Sequence, residues 1–238
     1  MTPTDRKPQP TLSARDELLG YLSLTITFAV MLVALFWPAG TIDWRRGWLF
    51  FSLFVALTIF AMGWIKRENP ELIAVRRKFQ KGTKAWDAIV APLTVILFFS
   101  ILPVAALDDA RFHWGPTPDW IVLPGYAMFI GGYVGTTWAQ SVNRHFEASV
   151  RIQTDRDHKV IDTGPYARIR HPGYAFAIVM SCGIALSLGS LYALIPVALC
   201  AVLLAFRTLA EEDELRRGLA GYDDYALRVR YRWLPGVW

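Results

Sequence analysis

The residue types able to do chemistry crowd into one segment of this chain, residues 140–175, QSVNRHFEASVRIQTDRDHKVIDTGPYARIRHPGYA. It holds His145, His158 and His171, three of the four histidines. Gly164-Pro165-Tyr166 is a turn signal. In Arg170-His171-Pro172-Gly173-Tyr174, Pro172 bars the preceding residue from the α region and suits the first position of a helix. His171 is therefore expected at or beside a helix N-cap, where free backbone N–H groups bind anions. A plainer account stays open, in which His171 only caps a helix and Arg168 and Arg170 only enforce topology.

A second candidate lies at Phe206-Arg207-Thr208-Leu209-Ala210-Glu211-Glu212-Asp213-Glu214-Leu215. Arg207 and Glu211 are four apart, hence on one helix face. An ordinary salt bridge fits that spacing. Yet Arg207 closes an apolar run, where a charge is expensive unless it faces protein or a water-filled cavity. Glu212, Asp213 and Glu214 read as a solvated face. The tail, GYDDYALRVRYRWLPGVW, mixes aromatics with Arg228, Arg230 and Arg232 and reads chiefly as an interfacial anchor.

Other chemistries find no support. Cys182 and Cys200 sit in apolar runs and fit neither a disulfide framework nor a metal-ligand spacing. There is no G-x-G-x-x-G after a strand, no phosphate loop and no Cys/His metal pattern. No metal and no nucleic-acid partner is expected. Any nucleotide-like cofactor must bind helices and their loops.

Those loops hang on membrane spans. Of 238 residues, 54% are hydrophobic and 19% charged, against roughly 25% charged in soluble domains. A spanning helix needs about 20 mostly apolar residues. Four runs qualify, near Leu18–Trp37, Gly47–Ile65, Ala88–Leu107 and Trp120–Ala139. A fifth stretch, about Tyr174–Phe206, is too long for one span and is interrupted at Leu186-Ser187-Leu188-Gly189-Ser190. It reads as a tight hairpin of two helices, each a little short. The expected fold is thus an all-α polytopic membrane protein with six transmembrane helices, or five if the hairpin is re-entrant.

Charge placement orients it. With six spans, every one of the 25 Lys and Arg except Arg45, Arg46 and Arg111 falls on the side of the two termini. The positive-inside rule makes that side cytoplasmic. Trp37, Trp44, Trp48, Trp64, Trp114 and Trp120 fall near span ends, as an interfacial belt requires. Residues 1–17 lack an apolar core followed by a cleavage site, so a removed signal peptide is not expected. No linker divides the chain. Residues 1–139 are expected to form N-terminal spans with a basic cytoplasmic loop at 66–87. Residues 140–238 are expected to form a cofactor-binding region with the hairpin at 174–206. In the loop, Asn69-Pro70-Glu71 looks like a helix start. The loop itself is either a basic interfacial helix on lipid headgroups or a lid over the site.

Gln153, then His158-Lys159-Val160-Ile161, Gly164-Pro165-Tyr166 and Arg170-His171-Pro172-Gly173-Tyr174, then Arg207, Glu211-Glu212-x-x-Leu215 and a Tyr-x-x-Tyr tail form an ordered set. This set resembles the isoprenylcysteine carboxyl methyltransferase family over about residues 140–238. Asn69-Pro70-Glu71-Leu72 and Lys81-Gly82-Thr83-Lys84-x-Trp86-Asp87 look like a prokaryotic branch of it. One departure concerns the tail, where Leu219 stands in place of a Gly that many members carry three residues before the first Tyr.

The resemblance implies an integral-membrane methyltransferase that uses S-adenosylmethionine, in a prokaryotic cytoplasmic membrane. It implies that Gln153, His158, Lys159, Val160, Ile161, Tyr166, His171, Pro172, Gly173, Tyr174 and Glu211 contact the cofactor. Arg207 would face the substrate, and Arg207, Glu211 and His171 would carry catalysis. The acceptor would be a prenylated cysteine carboxylate or another lipophilic compound taken from the bilayer lipids. Two alternatives are an NADPH-dependent enzyme similar to membrane sterol reductases, and a non-enzymatic scaffold or transporter. The first calls for more Arg and Lys converging on the pocket. The second calls for polar residues near the midplane, and the spans show few beyond Ser and Thr.

Overall fold

A computed structural model describes residues 14–75, 82–115 and 117–238. Long apolar runs become helices because a buried or lipid-facing backbone must satisfy its hydrogen bonds within the segment. Helix α1 runs Ala14–Ala39, α2 Arg45–Glu68 and the short α3 Glu71–Val75. Helix α4, Asp87–Ala105, continues as a π-helical turn, Ala106–Phe112. Helix α5 is Asp119–Val142, α6 Pro172–Ser187, α7 Leu194–Gly218 and α8 Tyr222–Arg228. Among the described residues there is no strand.

Four segments are long and apolar enough to cross a membrane: Leu18–Ala39, Arg45–Glu68, Asp87–Phe112 and Leu194–Gly218. Their outer faces expose Val33, Ile59, Ile96 and Val202, as lipid-facing surfaces do. Helix α5 is also 24 residues long, about 36 Å at 1.5 Å per residue. The expected hairpin is present, with its turn between Ser187 and Leu194. Its arms are unequal, however. Helix α7 has 25 residues and is not short. Helix α6 has 16, about 24 Å, less than the roughly 30 Å of a hydrocarbon core. The third span also outruns its expected end at Leu107. Pro103 removes a backbone donor there, and the helix loosens into the π turn rather than stopping.

Helices α5 and α6 pack most closely, because glycines let their backbones approach. A Cβ at Gly183 would lie 2.2 Å from the Phe129 backbone nitrogen, and one at Gly132 2.4 Å from that of Met180. Phe129, wholly buried, joins Leu35, Phe50, Ile101, Ile184 and Leu188 in the main core.

Alternation of the helices gathers two sets of ends. At one, the basic face, lie the described connections 69–75, 82–86 and 143–171 and the tail. Lys84 N–H donates to Val150 O at 3.2 Å. The Asn69 amide donates to Gln140 O and Asn143 O at 2.9 and 3.1 Å. Helix α3 starts at Glu71, as Asn69-Pro70-Glu71 foretold, and Arg156 holds Glu71 at 3.0 Å. Residues 76–81, on which the choice between lid and lipid anchor turns, lie outside the described residues. At the opposite face lie Trp44, Arg46, Asp108, Asp109 and Ser190.

Candidate active site

Helix α6 opens as its proline dictates, with His171 at the N-cap and Pro172 first in the helix. Gly173 and Tyr174 follow in the turn whose amides have no partner within the helix. The His171 ring lies parallel to Tyr174, centroids 5.6 Å apart. Its Nε2 is 3.3 Å from Glu212 Oε1, off the hydrogen-bond line.

Helix α7 sends its consecutive acids in different directions, as 3.6 residues per turn requires. Glu211 accepts the Tyr174 hydroxyl at 2.6 Å. Glu212 is buried and pairs with Arg170 at 2.6 Å and Arg232 at 3.0 Å. Glu214 pairs with Lys84 at 2.7 Å. The solvated face expected at 212–214 therefore holds only for Asp213, which is exposed beside Arg217. The correction has a cause remote in sequence: the tail folds back over this face. Arg207 pairs not with Glu211 but with Asp87, Nε to Oδ1 at 2.9 Å. Its Nη2 donates to Asp87 Oδ2 at 3.1 Å and to Ala148 O at 2.8 Å.

The tail, expected to be an interfacial anchor, forms a wall of the site. Tyr222 and Tyr225 are buried on α8, and the Tyr225 hydroxyl donates to Tyr166 O at 2.8 Å. The N–H groups of Arg170 and His171 donate to Tyr231 O and Arg232 O, both at 2.9 Å. Arg170 Nη1 donates to Val229 O at 2.7 Å. Leu227, Leu234 and Val237 remain exposed, which suits contact with lipid. Leu219 has φ −117°, so nothing there needs glycine. Gly221 takes φ +80° and starts α8.

The third wall is the loop between α5 and α6. Gln153, buried, donates its amide to His145 O at 2.7 Å, and its Oε1 lies 3.1 Å from His145 Nδ1. The His145 and His158 rings lie tilted at 36° to each other, centroids 4.4 Å apart. Burial, and next the neighbouring His145, pushes His158 down to about 4. Burial lowers His145 as well, so both rings are neutral near pH 7. Burial pushes the Tyr166 phenol up, against the hydrogen bond from Asn143.

These walls enclose a cavity of about 450 Å³. Gln153, His158, Lys159, Val160, Ile161, Tyr166, His171, Gly173, Tyr174, Arg207 and Glu211 all line it. Pro172, in the helix start beneath them, does not. The cavity continues between the helices as an apolar arm, lined by Thr94 and Phe98 of α4, Met180 of α6 and Leu204 of α7. Two of its lining residues, Ser149 and Tyr222, present a buried polar atom with neither a hydrogen-bond nor an ion-pair partner, and His171 Nε2 makes only a charge contact with Glu212. Buried polar atoms are normally satisfied, so this cavity is built for a polar guest. Arg168 is exposed and outside it, and Arg170 is bound to Glu212 and two carbonyls. Among the described residues, no group of His, Cys, Asp and Glu is arranged to hold a metal ion.

Residues 120–217 match the sequence model of the isoprenylcysteine carboxyl methyltransferase (ICMT) family. Over this region the chain is similar to the ICMT family. No curated protein matches it. The ICMT match covers α5, the loop, α6 and nearly all of α7, the elements that form most of the cavity. It stops short of the tail and begins after Asp87. Asp87, His145, Glu212, Tyr222 and Tyr225 are cavity residues or their direct partners that sequence reasoning named within motifs but gave no role at the site. Asp87 gave a faint signal, an acid at the mouth of an apolar span. The burial of Glu212 gave none.

Proposed function

We propose that this membrane protein transfers a methyl group from S-adenosylmethionine to a lipophilic acceptor drawn from the bilayer, a carboxylate of the isoprenylcysteine kind or another apolar compound. The observation that carries this is the two-part cavity. A polar end under the tail meets an apolar arm between helices, and Arg207 stands at the junction. The match of residues 120–217 to the ICMT family model supports the same chemistry.

The polar end suits the cofactor group by group. Amides of the first turn of α6 and His171 Nε2, which makes no hydrogen bond, suit a carboxylate. Glu211 suits an amine, through a charge-assisted bond. Tyr166 and the neutral His158 offer flat faces to an adenine, and aromatic faces also favour a cation. When bound, S-adenosylmethionine supplies a methyl group on a cationic sulfur that takes up the electron pair of the broken bond.

The protein's part is alignment and exclusion of water. A carboxylate acceptor is already a nucleophile and needs no general base. Holding it in line supplies much of the acceleration. Tyr174, flanked by His171 and Arg207 and bonded to Glu211, fixes the two ends of the site relative to each other. The tail covers the polar end. In this proposal the basic face lies in the cytoplasm of a prokaryotic cell, as the positive-inside rule favours, and the cofactor enters from that side. Residues 140–238 are the methyltransferase-like part, completed by side chains from α4.

Titrating the purified protein with S-adenosylmethionine and with NADPH tests the cofactor. Binding of S-adenosylmethionine is the expected result, and binding of NADPH alone overturns the proposal. Transfer of labelled methyl groups into a lipid extract, with product identification by mass spectrometry, then names the acceptor.

A further inference from the structure

Arg207 lies where the polar end of the cavity gives way to its apolar arm. Glu211 is one turn toward the basic face, and Leu204 and Cys200 lie about one and two turns the other way. All four line the cavity. A guanidinium carries five N–H donors in a rigid planar fork. One edge of this fork is occupied. Nε is in charge contact with Asp87 Oδ1 at 2.9 Å, and Nη2 is shared between Asp87 Oδ2 and Ala148 O. Among the described residues, Nη1 has no hydrogen-bond partner.

Asp87 is itself held fast. It is wholly buried in the first turn of α4, where the helix dipole favours an acid. Its Oδ2 accepts the Val150 N–H at 2.6 Å. A buried ion pair is a weak source of stability, because desolvation offsets the attraction and apolar replacements often serve as well. A pair placed at the junction of two cavity arms therefore calls for another use.

We propose that Asp87 is a positioning residue for methyl transfer, holding one edge of Arg207 so that Nη1 alone is presented to the acceptor. This rests on the methyltransferase function proposed above. It deepens that function by stating how the acceptor is recognised. The acceptor is met by a single hydrogen bond to one oxygen at the end of an apolar body. A free guanidinium would grip a carboxylate with both prongs and stabilise its charge, which lowers its nucleophilicity. With Asp87 already compensating the charge of Arg207, the acceptor is oriented while its reacting oxygen stays reactive. The clasp also joins α4 to α7, so the acceptor is aligned against both walls of the apolar arm.

The test uses the full chain in detergent micelles, with labelled S-adenosylmethionine and a bilayer lipid extract as probes. Asp87→Asn keeps the shape and an acceptor for Val150 N–H but loses the charge. Asp87→Glu keeps the charge and displaces the guanidinium. Both are expected to lower turnover at saturating lipid about tenfold or more, with S-adenosylmethionine affinity within about twofold of the parent. Adding Arg207→Lys to Asp87→Asn is expected to cost little beyond Arg207→Lys alone, since the two act as one unit. A variant that binds S-adenosylmethionine and turns over at the parental rate overturns the proposal. So do additive losses, or a loss of cofactor affinity in step with turnover, which mark Asp87 as a structural tether only. No methyl transfer by a parent protein given either probe overturns the methyltransferase function and the positioning role with it.

Discussion

Two sets of buried and half-buried acids occupy opposite ends of this helix bundle. At the face away from the basic loops, Asp108 accepts the Ser190 hydroxyl at 2.6 Å and the Gly115 N–H at 3.0 Å. Asp109 accepts Trp44 Nε1–H at 2.8 Å and pairs with Arg46. At the basic face, Asp87, Glu211 and Glu212 gather Arg207, Tyr174 and Arg170. The chemistry of the two sets is alike, and Asp87 and Asp108 are equally buried. The difference is that Glu211 and the second set's partners Arg207, Tyr174 and Arg170 line a cavity, while neither the first acids nor their partners line it. Asp108 and Asp109 pin the turn of the hairpin and the start of α2 to the π turn. Burial and pairing alone, then, do not separate a tether from a site. An opening, with polar atoms left unpartnered around it, does.

Mutation sharpens this contrast. Glu211→Ala should weaken S-adenosylmethionine binding about hundredfold, roughly 3 kcal/mol, with the thermal midpoint nearly unchanged. Calorimetric titration checks the first and a melt in detergent the second. A variant that binds normally but melts early would put Glu211 with the tethers. Asp108→Ala should do the converse. Leaving Ser190 and Gly115 without their acceptor costs about 2 kcal/mol, seen as a lower midpoint, while cofactor affinity stays within about twofold. Loss of affinity there would erase the distinction between the two ends.

A weaker effect belongs to the loop wall. His158 sits at about 4 in the folded protein, against about 6.5 in an unfolded chain. Between those values the unfolded chain binds more protons, so the contribution is complete above pH ~6.5 and is lost as pH falls toward 4. The midpoint should therefore be lower at pH 5 than at pH 7.5, and His158→Asn should flatten the difference. If the variant keeps the full difference, the sensitivity lies in another group. Least of all should come from Arg217→Ala. Its partner Asp213 is exposed, and such pairs contribute at most about 0.5 kcal/mol. A larger loss of stability or affinity would mean that the solvent-facing side of α7 also belongs to the site.

The same contrast separates what the sequence makes legible from what it hides. Spans, the hairpin and the His171 N-cap follow from local rules, namely apolar length and what proline permits at a helix start. The acids of α7 do not. Glu211, Glu212, Asp213 and Glu214 differ only in angle around a helix, and each meets a different partner. Those partners are set by tertiary contacts, Arg232 on the returning tail among them. Asp87 and Arg207 lie 120 residues apart in sequence, and no periodicity links them. The apolar arm was equally hidden, because a lipid-facing and a cavity-facing Phe look the same in a hydropathy pattern.

The bonds from Arg170 and His171 to Tyr231 and Arg232 also set an order of events during synthesis. Helices α6 and α7 leave the ribosome, and can begin to enter the membrane, before residue 231 emerges. Until then two amides at the helix start lack their acceptors, and Glu212 lacks Arg232. A nascent chain is thus anchored before it is competent, and the proposed methyl transfer waits for the tail. A message cut short ahead of Tyr231 yields a protein that inserts and stays silent, so an abundant inserted product is no measure of the active one.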